Sequence, residues 1–215
     1  MMEYTPIDSV NPDQDVLRCL SPDTEQRQRL LEYQGAFGIG AYDNGVFVGS
    51  LWFYRVENLE LGNPFAPTWS GWCHSAEDYA RFAPQKLPVA APLLGLSCFH
   101  VGRTKQLEAV DKNDESYYGK GIGSGLLAAA VKWAAGRDYR WIMATSGIDA
   151  FPEFNCWAGL LPLKAFLRNG FVALRPLNAT QTIPGHLQDL ASHHSPQELV
   201  HAVVGKRMHS MDSGE

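Results

Sequence analysis

No run of lysine or arginine stands out in the 215 residues, and the formal charge at pH 7 is −5. That balance suits neither a phosphate backbone nor an anionic surface, so no nucleic-acid partner is expected. No stretch is apolar for long enough to cross a bilayer. The opening Met1-Met2-Glu3-Tyr4-Thr5-Pro6 also lacks the basic and apolar pattern of a leader, so no membrane partner is expected either. Cysteine is scarce and dispersed: Cys19, Cys73, Cys98 and Cys156 include no CxxC pair, which points to a reducing cytoplasm. His186, His193, His194 and His201 match no zinc spacing, and no metal is expected.

What is present is ordinary globular material, with 45% hydrophobic and 19% charged residues. The length fits one domain over 1–215 with a sizeable core. Residues 11–33 read as helical, with a capping signal at Ser21-Pro22-Asp23-Thr24-Glu25. Phe37–Tyr42 and Val46–Tyr54 form a hairpin around Asn44-Gly45. Residues 57–91 carry four prolines with Trp69, Trp72, Tyr79 and Phe82, and read as an insertion, either a lid over a substrate or a small satellite core. Leu93–Val101 is a nearly continuous apolar strand, followed by a polar loop at about 103–117. Strands at Arg140–Ser146 and Phe171–Leu177, a helix at Leu160–Asn169 and a last strand at Leu199–Met208 complete the chain.

The most informative segment is Tyr118-Gly119-Lys120-Gly121-Ile122-Gly123-Ser124-Gly125, which runs into an apolar helix ending at Gly136. Glycine accepts positive φ and allows close approach to the backbone. A helix start offers unpaired N–H groups and the positive end of a dipole. The combination is a cradle for phosphate. A triphosphatase loop requires Ser or Thr after its lysine, and Gly121 follows Lys120. A dinucleotide loop is approached by Gly119 and Gly121. Ser124 takes its third glycine position, however, and the strand Arg140–Ser146 carries no acid for a ribose hydroxyl.

The strand ending Phe99-His100-Val101, the loop Gly119-Lys120-Gly121-Ile122-Gly123-Ser124, its helix, and Asn169-Gly170-Phe171 together resemble the GNAT superfamily of acyl-CoA N-acyltransferases. The resemblance implies an α/β (mixed α+β) fold, a central twisted mixed sheet with helices on both faces. It implies acetyl-CoA as co-substrate, with the acetyl group moving to a primary amine by direct attack in a ternary complex. The acceptor class is a small-molecule or peptide amine, and homodimers are common in the family. The resemblance places the pantetheine arm against the backbone of Phe99 and Val101, with the Phe99 N–H near the thioester carbonyl. Tyr118, Gly119, Lys120, Gly121, Ile122, Gly123 and Ser124 would surround the pyrophosphate.

The chain departs from the family at several positions. Tyr118 replaces the usual Arg or Gln, and the span from Val101 to Tyr118 is longer. Phe166 stands where a tyrosine usually reprotonates the CoA thiolate, Gly159 where an Asn is common, and Gly95 where some members carry a glutamate base. Bringing a lysine-like amine to its neutral form near pH 7 costs about 4–5 kcal/mol, so a base is needed. His100 and Ser97 are the candidates, His100 for its intrinsic pKa and Ser97 as a water ligand. Each equally reads as an ordinary strand residue. Tyr54, Glu57, Asp149 and Glu153 are further strand-end or loop candidates, and Cys98 is a poor nucleophile on strand burial alone. A degenerate GNAT fold that binds CoA or a protein without efficient catalysis is the alternative, and a dinucleotide-binding enzyme the third.

Overall fold

The computed structural model describes residues 1–9, 24–56, 92–102, 114–178 and 183–208. The expected insertion at 57–91, with Glu57, Cys73, His74 and its aromatics, lies outside them. So do Cys19, residues 103–113 and the first part of the 11–33 helix.

Among the described residues, seven strands form one sheet in the order β1-β2-β3-β4-β5-β7-β6. They are β1 (Met2–Pro6), β2 (Gly38–Asp43), β3 (Val46–Val56), β4 (Leu93–Val101), β5 (Trp141–Thr145), β6 (Val172–Asn178) and β7 (Val200–Arg207). The helices are α1 (Thr24–Gln34), α2 (Ile122–Ala135), α3 (Pro152–Ala158), α4 (Leu163–Arg168) and α5 (Gln188–Ala191). The hairpin β2–β3 turns where expected, with Asn44 and Gly45 at φ 48° and 82°. Two elements were not expected. β1 pairs antiparallel with β2, although Met2–Pro6 has no clear alternation to announce a strand. The helix expected at Leu160–Asn169 is α4, and an additional helix, α3, precedes it and ends at Gly159 with φ 65°.

Neighbouring residues of a strand point to opposite faces, and the core divides accordingly. Leu51 and Phe53 join Leu126, Leu127 and Ala130 of α2 in the main core. Trp52, between them, packs with Ile7, Phe37 and Phe47 beneath Leu30 and Leu31 of α1. Helices therefore cover both faces of the mixed sheet. A third cluster joins Phe151 and Phe154 to Leu187, Ala191 and Leu199 beyond the end of β5.

Candidate functional site

β4 and β5 run parallel and pair only where Leu93–Gly95 meets Trp141–Met143. β4 continues to Val101 without its neighbour, so the two strands part. On its other side β4 stays paired with β3, and Gly102 donates to the Val48 carbonyl at 2.7 Å. Antiparallel ladders alternate, which turns the peptide groups of Phe99 and Val101 away from β3, toward the parting.

Asp114 donates its N–H to the Gly102 carbonyl at 2.6 Å, bringing the chain back to the end of β4. The long span after Val101 therefore returns to its starting point. A short 3₁₀ turn over Glu115–Tyr117 then leads into Gly119 and Gly121, at φ 72° and 76°. Gly121 is the N-cap of α2 and supplies no side-chain cap. The N–H groups of the first helical turn are thus left for a ligand. Nothing lies within 4 Å of a Cβ built on Gly119 or Gly121, whereas one on Gly123 would collide with Leu161. The first two glycines are needed for the turn, the third for packing.

At the middle of β4 the register with β3 shifts: Leu51 faces Phe99 and Phe53 faces Leu96, so Ser97 and Cys98 both oppose Trp52. Cys98 and His100, two apart along the strand, share a face, and Cys98 Sγ lies 3.2 Å from His100 Nε2. Cys98 is partly exposed and His100 buried. Cys98 packs against the cluster of Ile7, Phe37, Phe47 and Trp52, in keeping with its reading as a small strand residue. Between Cys98 and His100, the Phe99 N–H donates to the Gly159 carbonyl at 2.8 Å. The donor expected to meet a thioester is therefore held by the chain's own turn. The next residues stay in the parting, where Gly147 donates to the Leu161 carbonyl at 2.5 Å.

A cavity of about 410 Å³ joins these parts. Phe99, His100 and Val101 line it, as do Tyr118, Gly119, Gly121, Ile122, Gly123 and Ser124. Lys164 and Arg168, one helical turn apart on α4, also line it, and their cationic heads are the residues that sequence reasoning missed. Their i, i+4 spacing on a helix leading to Gly170 was the available signal. Cys156 lines it too; burial pushes its thiol pKa up, Glu153 and Glu115 add to that, and a hydrogen bond with Tyr118 opposes it. Lys120 does not line it, and its ammonium sits 5.0 Å from the Tyr117 ring centre. Ser97 is buried in the bulge and lies outside the lining.

The departures have physical causes. A Cβ on Gly95 would sit 2.5 Å from the Tyr54 ring, so no larger side chain fits there. One on Gly159 would collide with Cys98 Sγ, which leaves no room there for the side chain of Asn. Phe166 is a fully buried core residue, edge-on to Phe99 and Phe171. Asp149 accepts the Lys164 N–H at 2.9 Å and caps α4, while Glu153 is an exposed residue in the first turn of α3. His186 rests on Trp157, His194 on Phe151, and His201 is buried against the Ser146 carbonyl. No cluster of metal-ligating side chains occurs among the described residues.

No family model matches the sequence, and no curated protein matches it. Solved structures do. A chain of the NatC complex, crystallised with Gag peptide and CoA, superposes with a TM-score of 0.51 at 11% identity, over 97% of this chain and 99% of that one. Naa50 of Arabidopsis thaliana, in complex with the bisubstrate analogue CoA-Ac-MVNAL, gives 0.49 at 15% identity, over 96% and 99%. A GNAT superfamily phosphinothricin acetyltransferase of Sinorhizobium meliloti, in complex with AcCoA, gives 0.48 at 16%, over 99% and 92%. The seven-stranded mixed sheet flanked by helices is the GNAT fold.

Proposed function

We propose that the protein is an acyltransferase that moves an acetyl group from acetyl-CoA to a primary amine of a small molecule or peptide. The observation that carries this reading is the shared cavity, lined both by the glycine turn at the start of α2 and by His100 at the parting of β4 from β5. The NatC chain, which has the same fold, was crystallised with CoA and a peptide, and that supports the choice.

The residues fit the co-substrate. The open, positive-φ turn at Gly119 and Gly121, with the N–H groups of Ile122, Gly123 and Ser124, suits a pyrophosphate. The helix dipole adds about 0.3–1 kcal/mol for such an anion. Lys164 and Arg168 supply the charge that Tyr118, in place of a cation, does not. The Val101 peptide group suits the pantetheine arm, and His100 is the group that moves protons at the thioester.

Phe166 in the core and the Phe99 N–H held by Gly159 favour a second reading, a protein that binds CoA without efficient turnover. A dinucleotide enzyme is not supported, because a doubly wound sheet is parallel whereas only β4 and β5 are parallel among the described strands. Calorimetry with acetyl-CoA, and NAD for comparison, on wild type and Gly121→Asp tests the cofactor. Binding of acetyl-CoA that the substitution abolishes is expected, and no binding in wild type overturns the reading. CoA release with a panel of primary amines then separates the acyltransferase from the silent binder.

A further inference from the structure

The parting between β4 and β5 is crossed by the chain itself. Gly95 and Met143 form the last pair of the two strands, and Phe99 and Gly147 each lie four residues further on. At that level the Phe99 N–H donates to the Gly159 carbonyl at 2.8 Å, and the Gly147 N–H to the Leu161 carbonyl at 2.5 Å. Gly147 also pairs in parallel with Pro162. One short segment, residues 159–162, therefore takes a donor from each strand.

The same segment reaches the phosphate end of the cavity. A δ-carbon of Leu161 lies where a Cβ on Gly123 would go, so this side chain rests on the first turn of α2. Gly123 belongs to the turn whose N–H groups suit a pyrophosphate. Leu160, Leu161 and Pro162 all line the cavity. A ligand that spans from the glycine turn to His100 has to pass them.

The attachments across the parting are of a kind that a ligand can replace. Both are backbone carbonyls, and the amides and thioester of a pantetheine arm offer the same acceptor. An entering arm can therefore take the donors one for one, at little net cost in hydrogen bonds. The segment also has a turning point at each end, Gly159 at φ 65° and Pro162 as the N-cap of α4. The flanking helices have only seven and six residues, too few to be rigid alone. Its fixed point is Leu160, which is buried in the third cluster and donates to the Asn155 carbonyl at 2.9 Å. The Asn155 amide in turn holds both the N–H and the carbonyl of Ile148 at 2.7 Å. Leu161, only partly buried, is the end that is free to swing.

We propose that residues 159–162 are an autoinhibitory strap across the acyl-CoA slot, which the pantetheine arm displaces from Gly123 and Gly147 as it binds. This rests on the acyl-CoA reading above. Affinity is then reduced by the fraction of molecules in which the strap is open. The Leu161 side chain fastens the strap to α2, and shortening it favours the open form without removing a hydrogen-bonding group.

The test uses the full chain, labelled at its leucine methyl groups and titrated with acetyl-CoA. Nuclear Overhauser contacts between the Leu161 methyls and the Gly123 α-protons are expected in the free protein and are expected to vanish at saturation. By calorimetry, Leu161→Ala is expected to bind acetyl-CoA about tenfold more tightly than wild type. Leu161→Val gives a smaller gain and serves if Leu161→Ala does not fold. Contacts that persist at saturation, or a variant that binds no more tightly than wild type, make the segment a fixed wall. Either result overturns the strap and leaves the acyl-CoA reading standing. Absence of acetyl-CoA binding to wild type overturns both.

Discussion

The carbonyl of Gly159 accepts the Phe99 N–H at 2.8 Å, joining the turn between α3 and α4 to the middle of β4. The bond forms only because residue 159 has no side chain: its φ is 65° and Cys98 Sγ fills the space a Cβ would take. Gly159→Ala therefore combines a left-handed penalty of about 1–2 kcal/mol with overpacking of about 1–3 kcal/mol. Urea unfolding is expected to show a loss of about 2–5 kcal/mol, reduced when Cys98→Ala is added. An alanine variant as stable as wild type would mean that the turn does not press on the thiol.

Lys164 and Arg168 are exposed along α4 yet line the same cavity as the glycine turn. If they meet phosphate, replacing both with alanine weakens acetyl-CoA binding about tenfold, or ~1.4 kcal/mol. Added salt narrows the difference, because exposed charges are screened. S-acetylpantetheine, which lacks the nucleotide phosphates, is expected to bind both proteins alike. An equal loss for that fragment would place the two cations on the wrong part of the ligand.

The parts of the fold that follow from local pattern were legible in the sequence. Asn44-Gly45 fixed a hairpin, the apolar run Leu93–Val101 a central strand, and the glycines around Lys120 a helix start that can hold an anion. What escaped depends on tertiary contacts. Met2–Pro6 is a strand because β2 offers it an edge. The bulge that sets both Ser97 and Cys98 against Trp52 exists only relative to the opposing strand. Gly95 carried no reason of its own until the Tyr54 ring was seen to fill the space above it.

His201 of β7 is buried, with Nδ1 3.1 Å from the Ser146 carbonyl, which accepts its hydrogen in the neutral form. Burial lowers its pKa from the ordinary 6.5, against a smaller upward pull from that bond. The folded state therefore takes the proton less readily than the unfolded chain. The stability it contributes is fully present above about pH 6.5 and declines as pH falls toward the depressed value. The urea midpoint is expected to fall between pH 7 and pH 5, and His201→Gln to remove part of that slope. An identical slope in the variant would assign the acid sensitivity to other groups.

Phe166 is the departure that most tempts repair, because a tyrosine there would restore the acid usual in the family. Its ring is fully buried, 6.0 Å from Phe99 and 5.3 Å from Phe171 by centroid, and it does not line the cavity. A hydroxyl added to it enters the core without a partner, at a cost of about 1–3 kcal/mol. Phe166→Tyr is expected to lower the urea midpoint and to leave CoA release with the amine panel no faster. Faster release at unchanged stability would mean that position 166 faces the thioester, and His100 would then share the proton transfer with it.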